Sequence, residues 1–555
     1  MTLKQEWQRT KELVKTGYDI LQKKVSINMP AVCLPASDDA HDTGIGAVNA
    51  SGSEKFFDFF DGIFHQILLG PTGRTFAPLY SPYESTYGYN PLITDLQALT
   101  QDEGGHLLEQ KVLQAIYETP KTSGDINYPV VGKAYNQAWR AAYEAFEKQL
   151  AFGDAFAKML DRKMHALWNG DELMRLDATF YAPLTPRRYV FEQALAATLQ
   201  QSFTRDFIAD LEVKLPDSLV VHKPAWFLKD FTLGSPADSF STAARNWHFK
   251  VFAPEHIIKP DGTLAEAGKF MLATFDRLFK QYQGGVRIDH FIGFVNPFVF
   301  ALNKGDESGR LYSSADNPKL KRYFKRTTEE FGQIVDKIIL QAMRQNGKSV
   351  LDIYPEDLGA RPPQLDEVMR LYGLGRMLVG QFVDVNDESH LYRLKNAKAQ
   401  DVAVLDTHDT PTGREFFEKM DFEGRQQHAH ILASDIRFNY SQKLTEPLTL
   451  LRMKWAELLA CPALRVQAFF TSFTGQDGRY NESGNPKKWR LRSVNDFETL
   501  YFKNLLLGKA YNPLDAIALA IYARGDAFYR AHQDFVLTLR AQEVALKQAI
   551  ISTAL

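Results

Sequence analysis

A (β/α)8 barrel is the fold class that the sequence predicts, and three observations lead to it. Eight short apolar runs have the character of strands, centred near residues 32, 66, 220, 287, 351, 379, 404 and 468. Apolar residues spaced three and four apart predict helices in most of the intervals between these runs. Three of the runs also end in acidic residues, and barrel enzymes carry their chemistry at the carboxyl ends of their strands.

The clearest strand end lies in residues 284–291, which read GGVRIDHF. Two glycines interrupt the preceding helical pattern, and a short apolar strand then leads to Asp289. Arg287 lies two residues earlier, so both side chains share one face of a strand. A neighbouring guanidinium keeps a carboxylate ionised at neutral pH, which suits a nucleophile. Taken alone, the stretch is also explained by an ion pair that only braces the fold.

Two later runs favour the catalytic interpretation. Residues 349–359 read SVLDIYPEDLG, an apolar strand followed by Glu356 and Asp357. Residues 401–409 read DVAVLDTHD, an apolar strand followed by His408 and Asp409. Because the strand ends of a barrel converge on one face, acids on several strands predict a shared site. Asp357 is interpreted as capping the turn that follows it.

The amino-terminal half of the chain supplies three predicted strands and two long insertions. Residues 1–28 have the pattern of an amphipathic helix, and strands are predicted at residues 31–34, 65–69 and 217–222. A loop rich in Gly, Pro and Tyr follows the second strand. Residues 100–215 are predicted to form a helical insertion subdomain, and residues 223–260 an irregular insertion.

The remaining strands alternate with helical patterns. Helices are predicted near residues 264–282, 319–346, 362–371 and 412–459, and further helices follow residue 495. The last predicted strand covers residues 466–473, so no carboxyl-terminal β-sandwich domain is expected. We therefore predict a single catalytic barrel domain over residues 1–555 that contains the two insertions.

Composition excludes several classes of protein. The formal net charge of −2 gives no broad basic surface for nucleic acid. The two cysteines, Cys33 and Cys461, match neither zinc-ligand spacing nor a disulfide framework, which favours a reducing, cytoplasmic compartment. The charged amino terminus lacks the apolar core of a signal peptide, and no apolar stretch is long enough to span a membrane. No nucleic-acid or membrane partner is therefore expected.

Several motifs, taken in order, resemble those of the amylomaltases, also called 4-α-glucanotransferases or disproportionating enzymes. They are LLGPTG and SPYESTYGYNPLITDL after the second strand, then GSPADSFS with the following NW, VRIDHFIGF, EDLG, THD and TGQDGRYNESG with KKWRLR. Together these motifs extend over most of the chain. The resemblance implies a retaining transferase on a (β/α)8 barrel that acts on maltooligosaccharides or other α-1,4-glucans. It also implies that the insertion at residues 223–260 is a substrate loop.

The resemblance also implies roles for individual residues. Asp289 matches the nucleophile of the family, Glu356 its general acid/base, and Asp409 the third carboxylate, which stabilises the transition state. Six further positions match residues that hold the nucleophile or the sugars: Tyr83, Asp238, Trp247, Arg287, His290 and His408. The chain departs from the usual family residues at five positions near these motifs: Arg245, His248, Ile292, Pro355 and Thr410.

The chemistry implied needs two carboxyl groups about 5–5.5 Å apart, one ionised and one protonated. It needs neither a cofactor nor a metal ion. If the covalent intermediate is attacked by a sugar hydroxyl, the protein is a transferase. If water attacks, it is an α-glucan hydrolase, and a glucan-binding protein without activity is a third interpretation. A monomer or a small homo-oligomer is expected.

Overall fold

The structure is a computed structural model. It describes residues 1–75, 80–85, 88–119, 125–181, 183–200, 206–236, 245–295, 297–301, 326–359, 361–438, 441–482, 485 and 488–553. Within these residues, no helix is long and apolar enough to cross a membrane.

The strands form two sheets. The parallel sheet contains β1 (Lys24–Asn28), β2 (Gln66–Leu68), β3 (Phe207–Leu211), β6 (Gly285–Ile288), β8 (Ile353–Pro355), β9 (Met377–Val379), β10 (Val402–Val404) and β11 (Arg465–Phe469). The second sheet is antiparallel and contains β4 (Phe231–Ser235), β5 (Arg245–Phe249) and β7 (Phe298–Ala301), with β4 in the centre.

The eight parallel strands follow the order β8-β6-β3-β2-β1-β11-β10-β9. Neighbours in the sheet are consecutive barrel strands of the chain, except that β1 pairs with β11, the last of them, as in a (β/α)8 barrel. The predicted fold class is confirmed. In the described part of the chain after β11, the named regular elements are helices.

The chain divides into two compact units, which we describe separately. The first unit comprises residues 1–68, 117–131 and 377–555, and the second comprises residues 69–116 and 132–376. Helices of the first unit are Leu3–Leu21, Ser51–Phe59, Gly413–Lys419, Phe422–Asp435, Pro447–Ala460, Phe470–Thr474, Phe497–Leu506, Pro513–Ala523, Asp526–Ala531 and Gln533–Ser552.

The second unit carries the long helices of the predicted insertion and those that follow it. They are Gln110–Tyr117 except its last residue, Tyr128–Ala151 from residue 132 onward, Ala155–Gly170, Glu172–Phe180, Pro186–Gln200, Asp217–His222, Glu266–Gln281, Ile292–Val295, Thr328–Ile334, Gln341–Gln345 and Pro363–Tyr372, with a π-helical segment at Val335–Leu340. Whether the whole chain acts as one catalytic domain stays a prediction.

The prediction of the first strand was wrong in position. Residues 31–33 form a 3-10 turn after Pro30, whose fixed φ and missing N–H suit a turn better than a strand. The strand lies at β1, where Ser26 and Asn28 alternate with apolar residues and are nevertheless buried. The Ser26 hydroxyl donates to the carbonyl of Val466, so a polar residue is satisfied inside the unit.

The prediction of the third strand was also wrong. The apolar run at residues 217–222 is a short helix that begins directly after Pro216. Short apolar runs do not distinguish a buried strand from a helix by periodicity alone, and that ambiguity explains the error. The third strand is β3, and all five of its residues are buried, including Asp210.

Candidate active site

Two of the predicted catalytic acids directly follow neighbouring strands of the second unit. β6 ends one residue before Asp289, and β8 ends one residue before Glu356. In the parallel ladder, Ile288 lies opposite Pro355, so the register brings the next residues opposite each other. A pair of acids at the carboxyl ends of adjacent parallel strands is thus built directly by the sheet.

Main-chain hydrogen bonds fix Glu356 against the loop that follows β6. The Glu356 N–H donates to the carbonyl of Ile288 at 2.9 Å, and the Phe291 N–H donates to the carbonyl of Glu356 at 2.8 Å. The carboxylate accepts two more amide protons, from His290 at 2.9 Å on Oε2 and from Leu358 at 2.9 Å on Oε1. Both ends of the residue are therefore held by backbone groups.

The half-buried Glu356 carboxyl has an unusual acidity. Removal from water raises its pKa to about 8, and the negative charge of Asp289 acts in the same direction. The positive charge of Arg287 and the amide hydrogen bonds from Leu358 and His290 lower the pKa but do not cancel the effect of burial. Glu356 is therefore protonated at neutral pH, as a general acid must be.

Arg287 joins Asp289 to a second acid, Asp210. Its Nη2 lies 3.0 Å from Asp289 Oδ1, and its Nη1 lies 2.7 and 2.9 Å from the two oxygens of Asp210. Burial acts to lower the pKa of Arg287, but the charges of Asp210 and Asp289 raise it well above its usual range. Arg287 therefore stays charged, and it holds two carboxylates beside one guanidinium.

Tyr83 is connected to the same cluster. Its hydroxyl donates to Asp210 Oδ2 at 2.8 Å. The sequence predicts Tyr83 as an aromatic residue at the substrate, and the structure shows in addition that its hydroxyl is engaged with a buried acid. Residues 80–85, which carry Tyr83, are thereby linked through Asp210 to Arg287 and Asp289.

Asp210 was missed as a site residue because the third strand was misplaced. The signal is present in the sequence: FIADL is a short run with an acid near its carboxyl end, as in GVRID. Asp210 also lies opposite Arg287 in the register of β3 and β6. Assigning β3 correctly would have added a fourth strand-end acid to the three that were predicted.

His290 and Trp247, both predicted to bind substrate, meet in the second unit. Their ring centroids are 4.7 Å apart at an interplanar angle of 80°, an edge-to-face contact. Burial lowers the pKa of His290 to about 4, so its imidazole is neutral at physiological pH. Its buried Nε2 has no hydrogen-bond partner among the residues that the structure describes. Asp238 lies outside the described residues.

Asp409 lies in a cluster of side chains in the first unit. His408 Nε2 lies 3.1 Å from Asp409 Oδ2, and the Asn481 side-chain amide donates to Asp409 Oδ1. The Asn481 N–H also donates to the carbonyl of His408 at 3.0 Å. The Asp409 side chain is 35% exposed, so it keeps access to solvent. Sequence reasoning missed Asn481, because a polar loop residue gives no periodic signal.

The partners of His408 define its tautomer. Asn28 Nδ2 lies 3.4 Å from His408 Nδ1 and can only donate, so Nδ1 is the acceptor. Nε2 then carries a ring proton, and it faces the Asp409 carboxylate. Thr410 closes the same turn by accepting the N–H of Thr407 at 2.9 Å. The loop after β10 therefore presents Asp409 from a rigid support.

Comparison with known proteins agrees with this architecture. The sequence model of the 4-alpha-glucanotransferase family matches residues 213–496, just over half of the chain. The chain belongs to this family. The matched span includes Asp289, Glu356 and Asp409. The resemblance to this family that the sequence motifs indicated is confirmed.

This member of the 4-alpha-glucanotransferase family is also similar to individual known proteins. A 4-alpha-glucanotransferase of Chlamydia pneumoniae is 27% identical over 207 residues, covering 36% of this chain and 35% of that protein. The chain thus aligns with about a third of this curated relative. Among solved structures, the amylomaltase from Streptococcus agalactiae in complex with acarbose superposes with a TM-score of 0.66 at 18% identity, covering 91% of this chain and 100% of that one.

The amylomaltase from Corynebacterium glutamicum gives the same TM-score of 0.66. Its sequence is 16% identical to this chain, and the superposition covers 92% of this chain and 77% of that one. At such identities the structural likeness shows the fold, and the arrangement of side chains must be argued from this protein itself.

Proposed function

We propose that the protein is a retaining 4-α-glucanotransferase that moves α-1,4-glucan segments between maltooligosaccharides. The observation that carries the proposal is the unequal environment of two acids on adjacent strands. Asp289 lies beside the charged guanidinium of Arg287, whereas Glu356 has a raised pKa. One ionised and one protonated carboxyl are what double displacement at an anomeric carbon requires.

In the first half of the proposed reaction, the Asp289 carboxylate attacks the anomeric carbon of the donor. The bond from that carbon to the leaving glycosidic oxygen breaks, and the Glu356 proton goes to the departing oxygen. The product is a glucan joined covalently to Asp289 with inverted configuration, together with the released sugar.

In the second half, the ionised Glu356 accepts the proton of an incoming sugar 4-hydroxyl. The hydroxyl oxygen attacks the anomeric carbon, the bond to Asp289 breaks, and a second inversion restores the α-configuration. Glu356 ends protonated and Asp289 ends ionised, so both groups return to their starting states. The same steps with water in place of the sugar hydroxyl would constitute hydrolysis.

The other site residues are assigned supporting roles. Arg287 orients Asp289 and, with Tyr83, holds Asp210. His290 offers a buried ring nitrogen for a sugar hydroxyl, and Trp247 packs against its ring. By their correspondence to the family motifs, we assign Asp409 and His408 to holding the donor ring, and Asp238 to the acceptor side.

Incubation of the purified protein with maltotriose tests the proposed function. We expect glucose to appear together with maltotetraose and longer products, because each released sugar corresponds to a chain transferred to another maltotriose. The products are resolved by chromatography over a time course, with an Asp289→Ala protein as the control for contaminating activity. Glucose and maltose alone would identify water as the acceptor and make the protein a hydrolase.

The pKa of Glu356 predicts the pH profile of transfer. The acid form is required, so we expect kcat/KM to be highest below pH 8 and to fall as the pH rises through the folded-state pKa of about 8. One pH unit above that value, the loss should be about tenfold. Initial rates with maltotriose across pH 5 to 10 measure this, with thermal unfolding at each pH as the control. A basic limb near an ordinary glutamate pKa would contradict the assignment.

A further inference from the structure

Glu212 is a buried acid that the proposed reaction does not use directly. It follows the end of β3 and is 5% exposed. Its two oxygens accept hydrogen bonds from one residue: the Ser85 hydroxyl reaches Oε1 at 2.9 Å, and the Ser85 N–H reaches Oε2 at 3.2 Å. A carboxyl bonded twice to a single loop residue fixes that residue in orientation as well as in distance.

The contacts of Glu212 and Asp210 form a matched pair. The two acids lie two residues apart at the end of β3, and their partners, Ser85 and Tyr83, lie two residues apart in the loop. Asp210 accepts from the Tyr83 hydroxyl, while Glu212 accepts from Ser85. The loop is therefore attached to β3 at two points, which restricts rotation of the segment between them.

The attachment of Tyr83 bears on the proposed nucleophile through Arg287. Asp210 receives both the Tyr83 hydroxyl and two contacts from Arg287 Nη1. If Tyr83 leaves, Asp210 loses a donor and keeps its two contacts with Arg287. Arg287 also contacts Asp289 at 3.0 Å, so a shift of Arg287 toward Asp210 weakens its hold on Asp289.

We propose that Glu212 is a positioning residue for glucan transfer: by holding Ser85 it keeps Tyr83 on Asp210, and through Arg287 it keeps Asp289 oriented for attack. The inference rests on the proposed function, and it adds a residue that touches neither of the two reacting carboxyls assigned above. Its test therefore includes a measurement that does not depend on activity.

The hydrogen bonds of Glu212 do not require a negative charge. Burial raises the pKa of Glu212 well above its usual value, and the charge of Asp210 adds to that effect, against hydrogen bonds from Ser85 and the charge of Lys214. A neutral carboxyl accepts the Ser85 N–H on its carbonyl oxygen and shares its own proton with the Ser85 hydroxyl. Glutamine offers the same oxygen acceptor and a comparable donor.

Three variants separate the hydrogen bonds from simple packing. Glu212→Leu replaces the carboxyl by an apolar group of similar size and leaves the Ser85 donors without their acceptor. Leucine is preferred to alanine, because alanine would enlarge the cavity of about 40 Å³ that Glu212 lines. We expect kcat to fall about tenfold to 100-fold with KM changed little, since the loss concerns orientation. Glu212→Gln should stay within about threefold of wild type, and Ser85→Ala should lie between the two.

The matched control is Glu84→Leu, the same substitution at the neighbouring loop acid. The Glu84 side chain is 39% exposed and lies 3.6 Å from Lys214. We expect this variant to keep wild-type kcat and KM, because a partly exposed ion pair contributes little. If kcat of Glu84→Leu falls as far as kcat of Glu212→Leu, the effect follows from any change in loop polarity, and the proposal is overturned.

A double-mutant cycle with Tyr83→Phe tests the route of the effect. If Glu212 acts by holding Tyr83 on Asp210, Glu212→Leu should reduce kcat by less than about threefold once the Tyr83 hydroxyl is absent. A merely structural role would give the full reduction in both backgrounds, in parallel with a lower melting temperature. Additive losses would overturn the proposal, and non-additive losses would support it.

Hydrogen exchange provides the measurement without substrate. The Ser85 amide donates to Glu212, so we expect its exchange to be at least about tenfold faster in Glu212→Leu and close to wild type in Glu212→Gln. Unchanged protection in Glu212→Leu would exclude the attachment itself. If Ser85 protection depends on Glu212 but the wild-type protein transfers no glucan, the proposed function is wrong while the attachment of the loop to Glu212 is supported.

Discussion

Replacing Glu356 by glutamine is expected to lower kcat for transfer from maltotriose by about three orders of magnitude. Glutamine keeps the size of Glu356 and can accept one of its two backbone hydrogen bonds, since His290 donates to Oε2 and Leu358 to Oε1, but it cannot give a proton to the leaving oxygen. The loss should therefore appear in kcat, with binding of maltotriose retained. Steady-state kinetics and calorimetric binding of maltotriose measure the two effects separately.

The leaving group provides the decisive comparison for this variant. An α-glucosyl fluoride needs little protonation to depart, so its first cleavage should stay close to the wild-type rate in Glu356→Gln. The control is Asp357→Asn, which removes the adjacent acid that Arg376 contacts at 3.2 Å. That variant should lose stability and keep the basic limb of the pH profile. Equal losses of kcat with fluoride and maltotriose would remove Glu356 from the role of general acid.

Replacing Asp289 by alanine is expected to lower kcat by about four orders of magnitude or more, because no covalent intermediate can form. The cavity left beside Arg287 can admit a small anion. We expect azide to restore cleavage of α-glucosyl fluoride and to give the β-glucosyl azide, since a single displacement inverts the anomeric carbon. Nuclear magnetic resonance of the product identifies its configuration.

The configuration of the azide product also distinguishes the two acids. In Glu356→Gln, azide would attack the covalent intermediate, so two inversions should yield the α-azide. Asp261→Ala serves as the control, because Asp261 is an exposed turn residue of the same unit and its loss should change neither rate nor product. An α-azide from Asp289→Ala would show that another residue is the nucleophile.

The strand ends that carry acids were predictable because their physics is local. Apolar runs that stop at Asp289 and Glu356 mark both the strand and its boundary, and the structure ends β6 and β8 one residue before them. The fold class followed from the eight runs and the helical patterns between them, although two of the runs are not strands. These signals lie in residues adjacent in sequence.

The strands that were misplaced contain buried polar residues. Ser26 and Asn28 interrupt the apolar pattern of β1, and Asp210 interrupts that of β3. Their burial becomes favourable only through partners elsewhere in the chain, such as Arg287 for Asp210 and His408 for Asn28. A single sequence contains no local sign of those pairings, so hydrophobicity alone assigned the strands to the wrong segments.

The contacts that orient the candidate site are likewise non-local. Tyr83 reaches Asp210 across 127 positions of the chain, and Asn481 reaches Asp409 across 72. The raised pKa of Glu356 also depends on the burial that folding creates. The sequence therefore supports the identity of the acids, and the environment that separates their acidities is a property of the fold.

The main-chain hydrogen bonds around Glu356 have a consequence for the evolution of the site. The separation of Glu356 from the segment after β6 is set by amide and carbonyl groups of Ile288, His290 and Phe291, which every amino acid except proline supplies alike. Substitutions of the neighbouring side chains can therefore accumulate without removing these main-chain hydrogen bonds. Loop mutations that alter the specificity of the site would in this way leave the hydrogen-bonded position of Glu356 intact.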